Sequence, residues 1–158
     1  MASVKPLQGL SEVLKNLNRE IEKQRLNTKE GLTEAALVVK ADAVRITPID
    51  LSNLRGSAFI MVTDESADNQ SPKFAGEDAG KMADQHGSVL TAARGIVNKG
   101  KSRFNAVVGF SAFYAWWVHE MPATFNFNSG ENKYLLKSLL KNKQRIQKIL
   151  IKWASIKK

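Results

Sequence analysis

The sequence predicts an α+β fold: a small antiparallel sheet packed by two N-terminal helices and a long C-terminal helix. Three observations carry this. Apolar residues recur at helical spacing over residues 10–47 and again over 132–158. Two short runs, 55–63 and 104–110, are instead rich in β-branched and aromatic residues. At 158 residues the chain is long enough for one core and short for two, so a single domain over 1–158 is expected.

The first helix is read over about 10–25. Leu10, Leu14, Leu17 and Ile21 form its apolar stripe, Ser11 offers a cap, and Lys15, Arg19, Glu22 and Lys23 occupy the other faces. Asn27 and Glu30 give a second start signal, and Gly31 weakens the helix between the two. From there Ala35, Ala36, Val39, Ala43 and Ile46 make a second stripe whose small residues permit close approach. Pro48 ends it.

A turn over 49–55 leads to the first strand, 55–63. Residues 64–80 are acidic, small and broken by Pro72, Gly76 and Gly80, the composition of an exposed mobile loop. Residues 81–103 fit either a strand pair or a short helix, so 64–103 is read as a mobile insert. Asn98–Lys101 suits a turn into the second strand.

That strand opens Phe104–Met121, the densest aromatic stretch of the chain. Phe104, Phe110, Phe113, Tyr114, Trp116, Trp117 and His119 all fall within it. Each large ring buries roughly 150–250 Å², so the stretch belongs in a core or an interface. Adjacent Trp116 and Trp117 are expected to part, one inward and one toward a partner. Phe113, Tyr114, Trp116, Trp117 and His119 are the candidate interface residues.

Composition excludes several classes. There is no cysteine, hence neither a disulfide framework nor thiolate chemistry. No apolar run approaches the ~20 residues of a membrane span, and Met1–Leu10 lacks the apolar core of a secretory signal. A protein assembled inside a cell is expected. Catalytic motifs are missing too. His119-Glu120 would need a second histidine four places on for the helical zinc motif, and Ala123 stands there; His86 is the only other histidine. Gly76, Gly80 and Gly87 lack the spacing of a phosphate loop, and Ser57, Ser88 and Ser111 lack a nucleophile-elbow context. No catalytic, cofactor or metal residues are assigned. His119 and Glu120 as acid and base remain the only enzymatic alternative.

The net charge of +9 is concentrated. Residues 1–132 carry 15 Lys/Arg and 15 Asp/Glu, whereas 133–158 carry nine Lys/Arg and no acid. A neutral body with one basic helix points to a local patch facing something acidic. Lys137, Lys141, Arg145, Lys148 and Lys152 form that patch. It fits a solvated face, a path for DNA phosphates, an acidic protein partner, or a membrane surface.

The order of motifs resembles a known family. Ala43-Val44-Arg45-Ile46-Thr47-Pro48-Ile49-Asp50 runs into Leu51-Ser52-Asn53-Leu54-Arg55-Gly56-Ser57. Val107-Val108-Gly109-Phe110 precedes Tyr114-Ala115-Trp116-Trp117-Val118-His119-Glu120, and Tyr134-Leu135 opens the basic helix. This resembles the tail-completion, or head–tail joining, family of long-tailed bacteriophages (gene-product-ten-like tail components). The family pattern is roughly A-x-R-x-x-P-V-D-T-G-x-L-R-x-S, then V-G-x-x-x-x-Y-A-x-x-V-E-F-G, then F-L. The likeness covers about 30–63 and 104–158. Leu51-Ser52 replaces Thr-Gly, His119-Glu120-Met121 replaces Glu-Phe-Gly, and 64–80 is a long insert.

The resemblance implies a non-enzymatic virion protein, assembled in the host cytoplasm. It would be one subunit of a homo-oligomeric ring, a hexamer, in the phage neck. Its partners would be copies of itself, the head connector or stopper, and the tail terminator or tail tube, with genomic DNA passing through unspecifically. The alternative from another class is a small DNA-binding accessory protein that uses the basic helix.

Overall fold

A computed structural model describes residues 10–49, 52–99, 104–122 and 124–155. The fold is α+β: a two-stranded antiparallel sheet packed between helices.

Helix α1 spans Leu10–Ile46 without a break, where the sequence predicts two helices. Glycine inside a helix costs about 1 kcal/mol relative to alanine, which favours a break at Gly31. Packing outweighs it. Helix α5, Tyr134–Ala154, lays Trp153 directly on Gly31, so closely that a Cβ there would sit 2.9 Å from the Trp153 Cβ. The glycine is a contact point, not a hinge. Beyond it Ala35, Ala36, Val39 and Ala43 are buried, as their spacing predicts. Arg55 closes the helix by donating to the Thr47 and Arg45 carbonyl oxygens, which otherwise lack partners at a helix C-terminus.

Helix α5 runs antiparallel to α1. Lys141 and Asn142 donate to Asp42 at one end, and Trp153 Nε1 donates to Glu34 at 2.6 Å at the other. The spacing predicts an inward stripe on α5 of Leu135, Leu139, Ile146, Leu150 and Trp153, widened by Leu136, Leu140 and Ile149, and by Ile156 outside the described residues; it does not face inward as a whole. The buried positions are Tyr134, Ser138, Asn142 and Ile149, while Leu136, Leu139 and Leu140 are exposed. Small residues on α1 draw small and polar residues of α5 against them.

A helical turn, α2 (Asn53–Gly56), precedes strand β1, Ala58–Val62. Strand β2 is Ala106–Phe110, with Ala58 opposite Phe110 and Val62 opposite Ala106. Both strands are shorter than their predicted runs. Every β1 residue is buried, because the sheet is a middle layer. Phe59 and Met61 point to helix α3, Ala79–Val97, where they pack with Ala93 and Val97. The alternate residues then face α1.

The segment 64–103 is therefore not loop throughout. It contributes α3 and a strap along the free edge of β1. Asp68 exchanges hydrogen bonds with the Ile60 backbone, and Asn69 donates to the Gly56 and Ala58 carbonyls. His86 of α3 fastens the strap: Nε2 lies 2.9 Å from the Asn69 carbonyl and Nδ1 2.6 Å from Ser111 Oγ. Gly100 and residues 101–103, with the turn expected there, lie outside the described residues.

Candidate interaction surface

Strand β2 delivers the chain into Ala112–Tyr114 and then into α4, Ala115–Glu120. Ala115 is the buried residue of α4 and packs with Leu54, Met82, Ala112 and Tyr134. Tyr134 anchors this corner. Its hydroxyl donates to the Ala115 carbonyl at 2.9 Å, and burial pushes its ionisation well above the ordinary value of a tyrosine.

With Ala115 inward, Trp116 and Trp117 both fall on the outer arc of the short helix. They are 64% and 68% exposed. The expectation that one of them enters the core is thus corrected: at about 100° per residue, both lie away from the side that Ala115 and Val118 turn to the core. The two rings meet edge to face at 5.1 Å. Phe113 is also exposed; it packs against Tyr114 and carries Lys81 over its ring at 4.2 Å.

His119 differs from the other four candidates. Its ring stacks edge-on against Tyr134, its Nδ1 lies 2.7 Å from Glu120 Oε1, and its Nε2 is buried without a hydrogen bond. Glu120 is in turn ion-paired to Lys133, and these two partners, Lys133 foremost, hold its carboxyl below the ordinary range. His119 is part of the wall; it does not project from it.

Two apolar surfaces escape the sequence analysis. One is a groove of about 390 Å³ lined by Ile49, Leu54, Tyr114, Val118, Met121 and Phe125, with Phe125 itself half exposed. The alternation Phe125-x-Phe127 in a polar loop was its only signal. The other is the first half of α1. All four residues of the apolar stripe there, Leu10, Leu14, Leu17 and Ile21, are exposed.

The five candidate basic residues do not form one open face. Lys137 pairs with Glu131, Lys141 with Asp42 and Lys152 with Glu34. Arg145 lies close enough to Glu34 to act on its charge. Lys148, together with Lys143, has no partner among the described residues. Among those residues, too, no cluster of three or more His, Cys, Asp or Glu could hold a metal ion, and no helix is long and apolar enough to cross a membrane.

No family model, curated protein or solved structure matches the chain.

Proposed function

We propose that the chain is a structural subunit of a ring in a bacteriophage neck, joining the head connector to the tail around a DNA channel. The observation that carries it is the pair Trp116 and Trp117, both about two-thirds exposed. Two such rings leave on the order of 300 Å² of aromatic surface in water. Phe113 packs on Tyr114, which shares a groove with Phe125, and both phenylalanines are exposed; the largest apolar patch of a typical monomer, roughly 300–600 Å², is often functional. Trp and Tyr are also the residues that dominate interface energies.

The family-like motifs supply a second line of support through their geometry. Ser52 stands where the pattern has glycine, and its φ of 62° is the left-handed conformation that glycine adopts freely. Arg55 donates to the Thr47 and Arg45 carbonyls at the end of α1, Ser57 to the Leu54 carbonyl within the turn, and Tyr134 to the Ala115 carbonyl. These motif residues work as fasteners of the corner that displays the tryptophans.

A DNA-binding role for α5 has less to support it. Three of its five candidate cations already serve the chain's own carboxylates, and a channel must let DNA slide. An acidic protein neighbour fits better. Converting Lys143 and Lys148 to Gln, which leaves the ties to Asp42 and Glu34 in place, is expected to leave the subunit folded and to reduce the number of heads joined to tails. Normal joining, with genome loss at raised salt, would favour DNA contact instead. Light scattering of the protein, alone and with virion proteins, tests the ring itself; a chain that stays monomeric with all of them is not a ring subunit.

A further inference from the structure

Strand β2 leaves its outer edge open. Ser111 N donates to the Ser57 carbonyl and Thr63 N to the Asn105 carbonyl, so the odd-numbered residues of β2 bond to β1 and the even-numbered ones point away. The N–H and C=O groups of Ala106, Val108 and Phe110 have no hydrogen-bond partner among the described residues. The outer edge of β1 is treated differently. There the Ala58, Ile60 and Val62 carbonyls and the Ile60 N–H are all bonded, through Asn69, Asp68 and Glu65. Every residue of β1 is buried, and every residue of β2 is half-buried. Strand β2 also lacks the devices that guard an edge: it has no charge and no proline, and it pairs without a bulge.

An apolar trough borders this edge. At about 100° per residue, Gly31, Glu34 and Asp42, which meet α5, lie to one side of the buried Ala35–Ala43 stripe of α1. Lys29 and Lys40, which pair with Asp64 and Asp68 beside β1, lie to the other. Helix α5 therefore stands on the β2 side of α1. It starts at Tyr134, whose ring meets Phe110 at 4.9 Å, and Leu135, Leu139 and Ile146 follow one line along it. Phe110, Trp116 and Leu135 line a pocket of about 240 Å³ at that end, and Leu139 is 50% exposed one turn further on.

We infer that the outer edge of β2 takes an extended segment of a partner protein as a third strand. Unpaired N–H and C=O groups repeating every second residue, about 7 Å apart, are complementary to a strand lying about 4.8 Å away. Alternate side chains of that strand enter the trough, so the segment carries an apolar residue at every second position. A second copy of this chain does not supply it. The β1 edge of a second copy is already bonded. Pairing β2 with β2 needs a two-fold axis normal to the sheet, which sets both α1 helices on one face. Helix α5 already occupies the ground beside α1 where the second α1 would lie. The occupant is thus a loop or tail with no helix behind it on that face. The strand site rests on the joining function proposed above and gives the form in which a neck partner is held.

Amide exchange on the intact protein is the test, with purified phage heads and purified tails as the probes. In the free protein the amides of Ala106, Val108 and Phe110 are expected to exchange fast, and those of Val107 and Gly109 slowly. On binding to heads or to tails, the first three should slow on the order of a hundredfold. If all three stay fast in joined particles, the third strand is overturned and the joining function is left intact. Protection already present in the purified protein by itself would mean that this chain covers its own edge, and would overturn the partner assignment. A protein that binds neither heads nor tails overturns both. Ala106→Pro gives an independent reading. Ala106 opens the strand and its N–H points outward, so proline there removes an outer donor and no bond to β1. The variant is expected to keep its urea unfolding curve and to bind heads or tails on the order of tenfold more weakly. Unchanged binding by the folded variant contradicts the strand site.

Discussion

Single residues in this protein often matter through what they allow a neighbour to do. Gly109 lies opposite Phe59 in the sheet, and the Phe59 ring occupies the space a side chain would need: a Cβ there would be 2.8 Å from Cζ. Phe59 is fully enclosed and cannot retreat. Gly109→Ala is therefore expected to destabilise the fold by about 1–3 kcal/mol, measured by urea unfolding. No loss would mean that the ring has room to shift. Ser52 is the opposite case. Its left-handed backbone costs a residue with a Cβ roughly 1–2 kcal/mol, so Ser52→Gly should raise stability by up to about 1 kcal/mol once the extra freedom of the unfolded chain is counted. A fall in the unfolding midpoint would contradict the turn. The sequence places Gly109 inside the second strand but hides the reason, since Phe59 is 50 positions away. The strain at Ser52 was invisible without the backbone.

Elements were legible where one chain supplies both sides of a contact. The Ala-rich stripe of α1 and the existence of α5 followed from periodicity, and the two strands from their β-branched and aromatic content. The orientation of α5 did not. Leucine spacing put Leu135 and Leu139 on one face; Leu135 does pack against the core, but Leu139 is exposed, because the Ala35–Ala43 stripe of α1 accepts Ser138 and Asn142, and the outward leucines have no partner among the described residues to reveal them. Polar ties fix that orientation, and they titrate. At Glu34 the hydrogen bond from Trp153, aided by Lys152, outweighs desolvation and lowers the pKa below its ordinary 4.5. At Asp42 burial opposes ionisation, but Lys141 and Arg45 prevail and lower it below 3.8. A lowered carboxylate pKa stabilises the folded state fully above the unfolded value, and the contribution is lost as pH falls through the folded one. The α1–α5 contact should thus be constant above about pH 5 and loosen below about pH 4. Trp153 fluorescence in a Trp116→Phe, Trp117→Phe background follows it directly, and Glu34→Gln should remove most of the change. A signal flat to pH 2 would mean that these ties do not orient α5.

The whole molecule is a small core with large apolar side chains exposed at both ends of α1. A 37-residue helix, about 55 Å long, exposes leucines at one end, and an aromatic corner stands at the other. The aromatic density of 104–121 was legible in the sequence as a core or an interface. Which of these it serves was not, because facing depends on Ala115 and Tyr134 locking α4 from below. The central claim is that Trp116 and Trp117 exist for assembly and contribute little to the fold. Exposed substitutions usually change stability by no more than about 0.5 kcal/mol, whereas loss of a buried tryptophan costs about 3–5 kcal/mol. The most direct test is to count heads joined to tails when Trp116→Ala, Trp117→Ala protein replaces the original, alongside its urea unfolding curve. An unchanged curve with joining abolished is the predicted result. Normal joining by the folded variant would contradict the claim.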